Sequence, residues 1–124
     1  MKNPGREQEL VLNIRVHDQT VRRVSGFIVT LPGIAEHKFI VHRALKSVHK
    51  DRVDVHDKFW TVSEFKTGAS VCHGKKAPSR EEALALALER IDEACAVRKC
   101  TRQVLLDTSI KAHNLEPINE MDGL

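Results

Sequence analysis

His73-Gly74-Lys75-Lys76-Ala77-Pro78-Ser79-Arg80 is the one stretch whose residue types and spacing point directly to ligand chemistry. Three cations lie immediately before or at a helix start, where unpaired backbone N–H groups and the helix dipole favour an anion. No acid intervenes between Glu64 and Glu81, so positive potential is concentrated there. His73, Lys75, Lys76, Ser79 and Arg80 are therefore the candidate phosphate-binding or nucleic-acid-binding residues. The competing reading is a solvated loop whose backbone donors Ser79 already satisfies.

Other reactive residues form weaker sets. His42, His49 and His56 recur at intervals of seven, but an odd interval along a strand puts successive side chains on opposite faces. Cys72-His73 with Cys95 and Cys100 supplies four potential zinc ligands at a spacing unsuited to a structural zinc, and no metal site is expected. Cys72 and His73, adjacent on a strand, would point apart and cannot readily act as nucleophile and base. Three cysteines without framework spacing read as reduced thiols. The chain carries no P-loop, dinucleotide glycine fingerprint, nucleophile elbow or H-E-x-x-H helix. A non-enzymatic chain without a cofactor is the expectation. Trp60 and phenylalanines 27, 39, 59 and 65 are the only aromatics. They either form core or provide a base-stacking platform.

Charge sharpens the picture. Between Glu36 and Arg80 there are ten Lys or Arg against five Asp or Glu, and five of the seven histidines. The next thirteen residues reverse the balance, with five acids against Arg90. Acids early and bases late in a helix complement its dipole, so part of this swing has a structural cause. Hydrophobic residues make up 41% and charged residues 30% of 124, the balance of one globular domain. No apolar run approaches the ~20 residues of a membrane span. The N-terminus, MKNPGREQEL, lacks a secretory signal's apolar stretch, which implies a cytoplasmic chain.

The elements that must position the loop follow from periodicity. Leu10, Leu12, Ile14 and Val16 alternate with more polar neighbours, which predicts a first strand. VSGFIVTL, ended by Pro32-Gly33, and HKFIVHRAL predict two more, at about 24–31 and 38–45. KSVHKDRVDVHDK fits either an edge strand or a loop. FWTVSE and ASVCH flank Phe65-Lys66-Thr67-Gly68 and predict a hairpin. Ser79 and Glu82 make a capping box for a helix at about 79–99, whose apolar stripe is Leu84, Leu88, Ile91 and Cys95. TRQVLLDTSIKAHN could extend that helix, start another or form a strand. The class is α+β: an antiparallel sheet of four to five strands covered by one amphipathic helix, in a single domain over 1–114, with a disordered tail at 115–124.

A W-x-V strand, a T-G turn, a second strand and a helix opening E-E-A-L span Phe59 to Ile91. This pattern resembles small proteins of phages, plasmids and integrative elements. More loosely it is similar to the strand-strand-helix half of HicB-type antitoxins and to arm-type DNA-binding domains of tyrosine integrases. About a quarter of the chain is covered. The strands before Phe59 have no counterpart in either named family, and nothing after Lys99 supplies a HicB protein's DNA-binding element. The resemblance implies a small regulatory or accessory protein of a mobile element that associates with nucleic acid. A protein-interaction module, antitoxin-like or inhibitor-like, using a sheet edge or the acidic helix face, is the alternative. Homodimerisation through an exposed strand is a further expectation.

Overall fold

The computed structural model describes residues 8–16, 20–72, 75–113 and 117–119. Four strands, β1 (Leu10–Arg15), β2 (Val21–Leu31), β3 (Ile34–Val48) and β4 (Val53–Glu64), precede two helices, α1 (Arg80–Arg98) and α2 (Arg102–His113). The strands form one antiparallel sheet in sequence order, β1-β2-β3-β4, so each pairs with its chain neighbour. The α+β class is as the sequence indicates. Three boundaries differ: β2 and β3 are longer than expected and meet at Pro32-Gly33, the charged 53–58 segment belongs to β4, and the open C-terminal segment is a second helix.

The centre of β3 explains how the sheet is covered. Phe39, Ile40, Val41 and His42 are consecutive and all buried, and because strand side chains alternate, both faces must be shielded there. On one face Phe39 and Val41 join Val62 beneath Ala83, Ala87 and Ile91 of α1 and Leu105 and Leu106 of α2. On the other, Ile40 packs with Leu12, Ile14, Val24 and Phe65. Neither described helix covers that second face; the sheet curls over itself. The Arg15 amide donates to Gly68 O at 2.9 Å, joining β1 at one end of the strand order to the turn after β4 at the other. Gly68 has φ +74°, and a Cβ there would stand 2.8 Å from Arg15 N and 2.9 Å from Ile14 Cα. Glycine supplies both the left-handed backbone and the close approach.

Glu64 fixes the same turn. Its buried carboxylate accepts from the Lys66 amide, the Thr67 amide and the Thr67 hydroxyl, at 3.1, 2.8 and 2.7 Å. Beyond Gly68 the expected second hairpin arm is not a continuous strand. It pairs with β4 at two isolated points, Ser63 with Ser70 and Trp60 with Ala77. Residues 117–119, within the tail expected to be disordered, return to β1: Asn119 exchanges hydrogen bonds with the Asn13 backbone at 3.0 and 2.7 Å. The rest of that tail lies outside the described residues. Thus both outer edges of the sheet carry hydrogen-bonding partners along part of their length, which blunts them against edge-to-edge pairing.

The helix cap forms, with one change. The Ser79 hydroxyl accepts from the Glu82 amide and donates to the Glu82 carboxylate, both at 3.1 Å. The apolar stripe is rotated from the expected one. Ala83, Ala87 and Ile91 are buried while Leu84, Leu88 and Cys95 are only partly so. Alanines on the line of contact let α1 approach β4, and the leucines pack to either side. Lys99, left-handed at φ 56°, ends α1, and its amide and that of Cys100 both reach Cys95 O. No described helix is long and apolar enough to cross a membrane.

Candidate nucleic-acid interface

The basic loop is held by its backbone. Ala77 exchanges both hydrogen bonds with Trp60, at 2.7 and 2.9 Å, and the Thr61 hydroxyl donates to Lys75 O at 3.0 Å. These three hydrogen bonds lay the loop along β4 and leave Lys75 and Lys76 exposed. Of the five residues picked from sequence, Lys75, Lys76, Ser79 and Arg80 are described; His73 lies outside the described residues.

Their roles divide. Ser79 is occupied as the helix cap, and the acids Glu81 and Glu82 sit in the first turn of α1, so the backbone donors there are already partly answered. The lysine side chains, rather than the helix terminus, carry the positive potential toward solvent. Arg80 is half-buried, with its guanidinium carbon 4.2 Å from the Phe27 ring centroid and 5.8 Å from that of Trp60.

Arg80 belongs to a larger cluster that the sequence does not announce. Arg43 lies 4.7 Å from the Trp60 centroid, and the Phe27 and Trp60 rings are 6.3 Å apart at 46°. The guanidinium of Arg43 also donates to Asp57 O and pairs with Glu9, both at 3.4 Å. Nearby, Lys76 Nζ stands 5.5 Å from the Phe59 centroid, and His56 meets Phe59 edge-on at 5.6 Å. Cation–π interactions of this kind are worth about 0.5–1 kcal/mol each when exposed. Phe39 and Phe65 are core, as expected of aromatics, whereas Phe59 is 38% exposed. One signal was available in the sequence: adjacent strand residues Phe59 and Trp60 face opposite sides, so one core could not bury both.

The remaining reactive residues go elsewhere. His42 and Ser63 form a buried pair, with Nε2 2.9 Å from the serine Oγ and Nδ1 2.9 Å from Arg43 O. The carbonyl can only accept, so Nδ1 carries the proton and Nε2 accepts from the hydroxyl. Burial pushes the imidazole down to about 4. Both residues are enclosed by the curl, and their hydrogen bonding satisfies the core rather than presenting a nucleophile. His49 pairs with Asp54 at 2.9 Å, and Cys72 is fully buried. Among the described residues no three His, Cys, Asp or Glu side chains gather as a metal site would require.

No family model matches the chain, and neither a curated protein nor a solved structure matches it significantly.

Proposed function

We propose that this chain is a small non-enzymatic binding module, associated with nucleic acid as an accessory or regulatory protein of a mobile element. The observation that carries the reading is the Trp60–Ala77 pairing, which lays the exposed Lys75 and Lys76 along β4, with Lys76 over Phe59 on one side of the strand and Arg43 and Arg80 against Trp60 and Phe27 on the other. Cations neutralise phosphates, and aromatic faces accept bases. The mobile-element assignment rests on the resemblance of Phe59–Ile91.

Salt dependence tests the reading. Phosphate binding releases counterions, so log affinity for an oligonucleotide should fall linearly with log salt. K75E/K76E should weaken binding and flatten the slope by about 0.7–0.9 for each phosphate no longer neutralised. Arg80 is excluded from this variant because it packs on Phe27. Binding that ignores both salt and these substitutions would favour the alternative, a protein partner on the acidic face of α1. That alternative has one feature in its favour, the 82% exposed Val97 near the end of the helix.

A further inference from the structure

In β3 and β4 the register runs Arg43 with Trp60 and then Leu45 with Val55, so four residues, His56 to Phe59, stand opposite Ala44 alone. Such a bulge re-aims side chains that a regular strand would place by alternation, and bulges recur beside functional sites. Here it opens a depression of about 230 Å³ lined by Lys46, Val55, His56, Asp57, Lys58 and Phe59. Lys46, Asp57 and Lys58 are exposed, and Lys76 from the basic loop approaches the same ring.

We infer that this depression is a subsite for one unpaired base of a single-stranded nucleic acid, stacked against Phe59 with neighbouring phosphates on Lys46, Lys58 and Lys76. The inference rests on the nucleic-acid reading above and narrows it from any polyanion to a single strand. Three observations favour that occupant. The wall is an aromatic ring 38% exposed, on which an unpaired base can stack and a base inside a duplex cannot. Three lysines surround it, matching a backbone that carries charge on both sides of each base. The solvent-facing side of α1 carries the exposed Glu82, Glu89, Asp92 and Glu93, whose charge opposes entry into a phosphate-lined duplex groove. Asp57 adds an acceptor for an N–H on the Watson–Crick edge of the base, such as thymine N3–H.

The test compares a short single-stranded oligothymidylate, a duplex of equal length and thymidine monophosphate by fluorescence anisotropy or competition at low salt. Phe59→Ala should weaken single-strand binding about 5- to 150-fold, the range for removing one base stack, and leave duplex binding unchanged. Phe59→Trp should retain single-strand binding. If the alanine variant does not fold, as judged by its amide spectrum, Phe59→Leu should weaken binding in the same direction. Equal binding of duplex and single strand, with no effect of either the alanine or the leucine variant, would overturn the base subsite while leaving phosphate binding by the lysines intact. Monophosphate binding as tightly as the strand would overturn it in favour of a free-nucleotide site. Failure of both oligonucleotides to bind would remove the subsite together with the nucleic-acid reading.

Discussion

His42 shows how one residue couples the core to solution conditions. Its imidazole, normally near 6.5, is held down to about 4 because burial disfavours the charged form. The unfolded chain therefore binds a proton that the folded chain refuses once pH drops below about 6.5. The contribution is fully present above that value and is lost as pH falls toward about 4, at up to about 1.4 kcal/mol per pH unit and roughly 3 kcal/mol in all. Denaturant unfolding between pH 7 and pH 4 should show this slope, and His42→Gln should remove it. The comparison isolates His42 because the six other histidines are common to both proteins. An unchanged slope in the variant would assign the acid sensitivity elsewhere.

Among the elements, the turn after β4 matters most to the second core, since it is where the curl closes on β1. Gly68→Ala would place a left-handed non-glycine residue against Ile14 Cα, Arg15 N and Ile118 Cδ1, at 2.9, 2.8 and 2.5 Å. The backbone conformation alone costs about 1–2 kcal/mol and overpacking about 1–3 more. Thermal unfolding should therefore show a destabilisation of about 2 kcal/mol or more, and a wild-type midpoint in the variant would contradict the closure described above. The glycine was legible as a turn residue; its approach to β1, more than fifty positions away, was not, because local pattern carries no tertiary register. The same limit explains the other differences. Ser79 and Glu82 announced α1, since capping is local. The segment around Val53 and Val55 was ambiguous because charged residues on a strand with an exposed face dilute its alternation. Val104, Leu105 and Leu106 fit every periodicity until α1 and the sheet selected a helix. Lys75 and Lys76 could be picked from charge, whereas Arg43 joined them only through pairing between β3 and β4.

Across the whole molecule, one region of the sheet is roofed by α1 and α2, while a second, basic and aromatic-lined, lies at the start of α1. The first supplies the main core; the second is the surface proposed above to bind a polyanion. Amide chemical-shift mapping with a single-stranded oligonucleotide at low salt tests it most directly, because it locates the bound strand without assuming which side chains hold it. The largest shifts should fall on Lys75 to Arg80 and on His56 to Thr61, and they should diminish as salt is raised. Saturable binding whose shifts instead cluster on the acidic face of α1 or on β1, with the basic loop silent, would contradict it.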